Sequence, residues 1–277
     1  MKRYKIFTFV VLLIGMGMVI LAGLKLADTQ KIYQEGDKAY EDIRGQIKKV
    51  SETDGSVAKE SASHDDKPRE NTEELSLKIP LVYIPESGID IEVLKTINED
   101  SAAWLYSPDT VIDYPVMKAD DYNYYLNHLP DGTVNLNGSL FIDYNCAPDF
   151  SDRLTVIYGH HMKSGKMFGS LKGYKNQSYY EDNPFMYLYT DKGNYRVDLI
   201  YGCVIGAGQW REQAFMFEEN VGELMQYAAY NTTFKSDIEY EEGDRVVVLS
   251  TCSYEFDEAR YAVVGILREE YSRVVSE

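Results

Sequence analysis

The chain has 277 residues, and 28 Lys and Arg against 45 Asp and Glu give a formal charge of −17. That charge argues against a nucleic-acid partner, because phosphate binding depends on a Lys/Arg surface. The 44% hydrophobic and 13% aromatic content excludes disorder of the whole chain. Three cysteines are too few for a disulfide scaffold, and their odd number leaves at least one of Cys146, Cys203 and Cys252 unpaired within a monomer.

Lys2, Arg3 and Lys5 precede an uncharged run from Ile6 to Leu24, which Lys25 closes. Crossing a hydrocarbon core takes roughly 20 helical residues, and the run is longer than the apolar core of a typical signal peptide. Residues 1–27 are therefore expected to form a cytoplasmic N-terminus and a transmembrane signal anchor. The positive-inside rule then puts everything beyond them outside the cell in a single-pass arrangement. Residues 28–74 are polar. Ile32, Tyr40, Ile43, Ile47 and Val50 recur at spacings of a weak helix face, expected as a frayed juxtamembrane helix, and Ser51 to Thr72 reads as a solvated stalk without an aromatic residue. The stalk is expected to be dispensable for chemistry.

Residues 75–277 carry the pattern of a folded domain, with short β-rich runs divided by turn residues. Expected strands are Val111 to Met117, Ser139 to Tyr144, Thr155 to Tyr158, Met186 to Thr190, Tyr195 to Ile205, Arg245 to Thr251 and Tyr261 to Leu267. Seven or eight such runs make a mainly β barrel or sandwich. Two helices are expected, Ile91 to Leu105 and Glu218 to Tyr230. In the second, Val221, Leu224, Met225 and Ala228 form one apolar face suited to core contact.

Few residues are equipped for nucleophilic chemistry. Of four histidines, His64 lies in the stalk; Cys252 ends one expected strand and His160 ends another, shorter one. Strand ends can present side chains to a cleft from a rigid sheet. A thiol there needs a base or cationic neighbour to supply thiolate, since a free cysteine has a pKa of about 8.5. His160 can serve as that base. Arg260 would return beside Cys252 across a hairpin, its guanidinium suited to a developing oxyanion. The plainer readings are a small buried thiol, a satisfied histidine and a solvated arginine.

Leu249-Ser-Thr-Cys252 with the downstream Arg260 resembles the Thr-Leu-x-Thr-Cys signature of sortases, cysteine transpeptidases that anchor proteins to Gram-positive cell walls. Val248 stands where that signature begins with Thr. Tyr158-Gly-His160 followed by Met162, Met167-Phe168 and Leu171 is similar to the sortase histidine region. Ile112-Asp-Tyr-Pro-Val116, Tyr125-Leu-Asn-His128 and Gly138-Ser-Leu-Phe-Ile-Asp143 are similar to the class B subgroup. The resemblance runs from about residue 79 to residue 270. It implies a closed β-barrel of seven to eight strands with an N-terminal helix and a long helix between late strands. It also implies His160, Cys252 and Arg260 as catalytic residues, with no cofactor. Cys252 would cleave a C-terminal sorting signal of Pro-x-Thr type, and an amine of a peptidoglycan precursor would resolve the thioacyl enzyme. The expected partners are thus surface proteins bearing such a signal, the amine acceptor, and the membrane through the N-terminal helix.

Tyr158, Ser250, Thr251 and Trp210 are further candidates for lining a substrate groove; for Trp210 an aromatic simply covering the barrel is the alternative. Cys203 reads as a buried strand residue and Cys146 as a loop thiol. His160, His161 and Asp152 are not expected to bind metal, since neighbouring strand residues point to opposite faces. By the same alternation His161 is expected to tolerate replacement. Two rival readings use other outcomes: a cysteine peptidase that resolves the intermediate with water, and a membrane-anchored binding module in which Cys252 is structural.

Overall fold

A computed structural model describes residues 2–54, 82, 84–208 and 221–269. The chain begins with one helix, α1 (Lys2–Asp54). An apolar 18-residue window within it, of mean hydropathy 2.0, has no share buried by the protein, so the helix is long and apolar enough to cross a membrane. The same helix continues into the polar segment. Tyr40, Ile43 and Ile47, expected on a frayed helix, are 0–5% exposed. Their partner surface is supplied by Val82, Ile84, Ile91, Leu94, Trp104 and Tyr189 around Ile43 and Ile47, and by the Tyr114 ring edge-on to Tyr40. Polar contacts fix the rotation of the helix. Arg44 pairs with Asp113 at 2.9 Å, and Asn135 and Asn137 donate to the Ile32 and Tyr33 carbonyls at 2.9 and 3.2 Å. Gly36 makes the approach possible, because a Cβ there would collide with the Asn137 amide. The expected boundary near residue 74 lies outside the described residues.

Helix α2 (Ile91–Ile97) starts where Asp90 Oδ1 accepts from the Glu92 and Val93 amides, an N-cap that satisfies two otherwise orphaned donors. It stops well short of Leu105. Asn98 caps it, its Oδ1 taking the Asp100 amide at 3.0 Å. The next six residues after the turn form strand β1 (Ser101–Tyr106), which pairs with both of its neighbours in the sheet. Ser-Ala-Ala-Trp-Leu-Tyr has no alternation because nearly all of it is buried, and two ladders override the helix propensity of the alanines and leucine.

Seven further strands follow: β2 (Asp113–Lys118), β3 (Leu140–Ile142), β4 (Leu154–Tyr158), β5 (Phe185–Thr190), β6 (Asn194–Gly206), β7 (Val246–Cys252) and β8 (Ala259–Glu269). They close into a barrel in the order β1-β2-β3-β4-β7-β8-β6-β5, antiparallel except for the β2/β3 and β4/β7 pairs. The expected barrel is thus present with eight strands, β1 being the one that sequence periodicity does not reveal. Inside it pack Val116, Ile157, Leu188, Leu199, Leu249 and Val263, all 0% exposed. A 3₁₀ segment (Phe168–Lys175) packs Phe168, Leu171 and Tyr174 into the same core, and α3 (Gln177–Asp182) follows it. Helix α4 (Val221–Tyr230) lies on the outer face of the barrel between β6 and β7. As expected, it buries Val221, Leu224, Met225 and Ala228, here against Val156, Val248 and Val264. Gly159, just beyond β4, must lack a Cβ, which would strike the Leu140 and Phe168 side chains.

Candidate functional site

The parallel β4/β7 pair and the β7/β8 hairpin meet at one barrel end. Register sets Cys252 directly opposite Arg260, and Tyr158 opposite Ser250. Two bonds lock the end of β7 to the segment leading to His160: Gly159 N–H donates to the Ser250 carbonyl at 3.2 Å, and Thr251 Oγ1 donates to the Gly159 carbonyl at 2.8 Å. The outcome is a cavity of about 220 Å³ lined by Tyr158, His160, Ser250, Thr251, Cys252 and Arg260. Six of the seven residues expected from the sequence therefore meet in one place. The seventh, Trp210, lies outside the described residues.

Most of these side chains are held by identifiable partners. His160 Nε2–H donates to the Leu126 carbonyl at 2.6 Å. Since a carbonyl can only accept, this contact sets the Nε2–H tautomer in the neutral ring and leaves Nδ1 as the nitrogen able to take a proton. Arg260 Nη1 donates to the Ala259 carbonyl at 3.1 Å, close to Glu258, which adopts a left-handed backbone at φ 59°. That turn brings the chain back into β8 with Arg260 beside Cys252. Thr251 is buried, and Ser250 is buried with its Oγ lacking a partner. Tyr158 donates to Asp143 Oδ2 at 2.9 Å, so its ring is fixed at the cleft wall.

Cys252 is partly exposed, whereas Cys146 and Cys203 are buried; all three are free thiols. Burial pushes the thiols of Cys146 and Cys203 up to about 12, which keeps both protonated and inert. Only Cys252 is open to a substrate, and the loop residue Cys146 is more deeply buried than its position suggests.

The expectation that His160 and His161 point to opposite faces does not apply here. Strand β4 ends at Tyr158, so strand alternation no longer governs either residue, and both line a second cavity beside the first. Desolvation by burial lowers the His161 pKa, opposed by its hydrogen bond to the Cys252 backbone. Its Nδ1 is buried without a partner, and Tyr254 packs edge-on against the ring. Asp152 accepts from the Ala147 amide at 2.5 Å, and among the described residues no group of three or more His, Cys, Asp or Glu is placed to hold a metal. Sequence reasoning overlooked Tyr122, Leu126, Phe141 and Ala207 as cleft residues. Leu126 and Phe141 lie inside segments that resemble class B motifs, and that was the available signal.

No family model matches the chain. Sortase B of Listeria monocytogenes is 30% identical over 182 residues, covering 64% of this chain and 74% of that protein. Among solved structures, Clostridium perfringens sortase B matches with a TM-score of 0.59 and 28% identity over 64% of this chain and 99% of that one. A Staphylococcus aureus sortase B–substrate complex matches with a TM-score of 0.60 and 25% identity, covering 65% and 84% of the two chains. The eight-stranded barrel and the extent of the Listeria match lead to one assignment: the chain belongs to the sortase family of cysteine transpeptidases and is most similar to class B.

Proposed function

We propose that this chain is a membrane-anchored transpeptidase that cuts a C-terminal sorting signal of Pro-x-Thr type and joins the freed carboxyl to a cell-wall amine, with Cys252, His160 and Arg260 as its catalytic residues. The observation that carries the reading is the pairing of Cys252 with Arg260 in the β7/β8 ladder, with His160 lining the same cavity. In this reading the Cys252 thiolate attacks the Thr carbonyl. The C–N bond then breaks as protonated His160 gives its proton to the leaving amine. Arg260, a rigid and always-charged fork, holds the negative oxygen of the tetrahedral intermediate. His160 then takes a proton from the incoming amine, whose nitrogen displaces the Cys252 thiolate from the thioacyl enzyme.

Tyr158, Ser250 and Thr251 form the groove for the signal peptide, and the unpartnered Ser250 Oγ is suited to a peptide backbone group. Helix α1 anchors the protein in a single pass, with Lys2, Arg3 and Lys5 on the cytoplasmic side and the barrel outside. A substrate held at a membrane suits an enzyme held at the same surface. The test is incubation of the protein with Pro-x-Thr peptides and candidate amines, followed by mass spectrometry. An amine adduct that disappears in Cys252→Ala supports the reading. Release of hydrolysed peptide alone would make the protein a cysteine peptidase, and full function of a folded Cys252→Ala chain would leave only a binding role.

A further inference from the structure

The attachments of the barrel to α1 lie in order along the helix. Asn135 and Asn137 hold the Ile32 and Tyr33 carbonyls, Lys166 pairs with Asp37 at 2.7 Å, Tyr40 donates to the Gly138 carbonyl, Arg44 pairs with Asp113, and Ile47 packs on Ile84 and Leu94. Of these, the attachment by the loop 133–137 is nearest the apolar run. Gly36, whose missing Cβ leaves room for the Asn135 and Asn137 side chains, puts that loop at the level of residues 32 to 36. Those residues are five to nine positions beyond Ala27, so at about 1.5 Å per residue the loop lies about 8 to 14 Å past the end of the expected anchor. The headgroup layer on one side of a bilayer is about 5 to 8 Å thick, which leaves the loop a side chain's length from lipid. A helix tilt of about 20°, common for membrane spans, closes that gap. The loop is also apolar on its outside. Val134 is 73% and Leu136 52% exposed, on either side of the buried Asn135. Leu136, with Leu126 and Tyr33, which are 39% and 36% exposed, also lines the cavity of about 550 Å³ beside His160.

We propose that this end of the barrel is a second membrane contact: Val134 and Leu136, with Leu126 and Tyr33 beside them, enter the headgroup region of the bilayer that α1 crosses. The inference rests on the membrane-anchor reading above. Exposed aliphatic side chains gain by leaving water at a lipid surface, and a tyrosine ring suits the headgroup level. Charge does not supply the attraction, since a chain of net charge −17 is repelled overall by anionic lipid. The contact is therefore apolar and forms on neutral lipid. With α1 and the loop both engaged, the tilt of the helix and the rotation of the barrel about it are set together. The cavity that Leu126 and Leu136 share with His160 is then held beside the lipid surface.

The test is spin labelling of the full chain, one copy per nanodisc of phosphatidylcholine. Cys252→Ala removes the open thiol, so that the label goes to a newly placed cysteine while Cys146 and Cys203 stay buried. Labels are introduced singly through Val134→Cys, Leu136→Cys, Val19→Cys in the apolar run, and Tyr230→Cys on α4, where the native side chain is 91% exposed. Power-saturation EPR reads collisions with oxygen, which concentrates in lipid, and with a neutral nickel chelate, which stays in water. At positions 134 and 136 the oxygen-to-nickel collision ratio should lie between the values at 19 and 230, and either position suffices. Leu136→Asp should return the label at 134 to the value at 230. A ratio at 134 and 136 equal to that at 230, nickel exclusion without raised oxygen collisions, which is the mark of protein cover, or a ratio at 134 untouched by Leu136→Asp would each overturn the contact. A label at 19 open to nickel would instead overturn the anchor reading beneath it.

Discussion

Along β7 and β8 every residue from Val246 to Cys252 has a fixed partner on the neighbouring strand, so the place of Cys252 opposite Arg260 follows from backbone register. Residues 32 to 47 of α1, of which Tyr33 and Asp37 line the adjoining cavity, are placed by a few side chains instead: Tyr40, Ile43, Ile47, Arg44 and the two amides Asn135 and Asn137. A one-residue slip in β7 would turn every side chain to the other face, whereas a shift of α1 would lose a few contacts. The first region therefore holds Cys252 and Arg260 in a fixed relation. The second is held by side-chain contacts that can be lost one at a time.

The sharpest way to test that contrast is at the two histidines, which come from one loop but have different partners. His160→Ala should lower turnover by about 10² to 10⁴, the usual contribution of a general acid–base group. His161 hydrogen-bonds the Cys252 backbone and packs edge-on against Tyr254, so His161→Ala should cost about tenfold or less, in line with a single hydrogen bond. Single-turnover rates on one peptide check both. The reverse ranking would reassign the base and show that the register-defined wall does not include His160.

Arg260 tests whether the ladder supplies direction as well as charge. Arg260→Lys keeps the charge but loses the planar fork, and should reduce kcat by about 10² to 10³ with little change in KM for the peptide. Near-normal turnover would mean that a cation anywhere near Cys252 is sufficient.

On the α1 side, Ile47 is 0% exposed between Ile84, Leu94 and Trp104. Ile47→Ala should destabilise the protein toward the lower end of the roughly 2 to 5 kcal/mol range for such truncations, since α1 can settle inward on the smaller residue. Denaturant unfolding of the detergent-solubilised chain measures it. A change within error would show that α1 is a tether and not part of the fold.

The same contrast explains what could be read from the sequence. The meeting of Cys252, Arg260 and His160 in one candidate site was legible because they sit at the ends of alternating or continuous β-runs and carry recognisable neighbours, Leu249-Ser-Thr on one side and Tyr158-Gly on the other. Strand β1 was hidden because burial on both faces removes alternation, and Ala102, Ala103 and Leu105 favour helix locally. The docking of α1 was hidden for a different reason. Tyr40, Ile43 and Ile47 show the spacing of a weak face, but nothing local tells a face that finds a partner from one that frays; Val82, Ile84 and Trp104 decide it from far along the chain. The alternation argument for His160 and His161 does not hold, because β4 ends at Tyr158, before either residue.

The smallest expected effect belongs to the loop after Cys252, which is neither ladder nor helix. Lys175, on the 3₁₀ segment, pairs with Glu255, reaches Ser253 Oγ at 3.4 Å and sits 4.9 Å from the Tyr261 ring centre. Glu255 also accepts from Ser253. Burial raises the Glu255 pKa, but the hydrogen bonds from Lys175 and Ser253 outweigh it and bring the carboxyl down to about 2 from its ordinary 4.5. A carboxyl whose folded value is depressed stabilises the fold fully above its unfolded value and loses that contribution as pH falls through the folded one. The window is therefore from about 4.5 down to about 2. Both partners are about a third exposed, so solvent screening should hold the contribution to about 1 kcal/mol or less. Urea unfolding of the unaltered chain and Glu255→Gln should differ by this small amount at pH 6, with the gap closing between pH 4.5 and pH 2. A gap that stays constant to pH 3 and below would mean that the Glu255 charge contributes nothing to holding the loop that carries Tyr254 beside the second cavity.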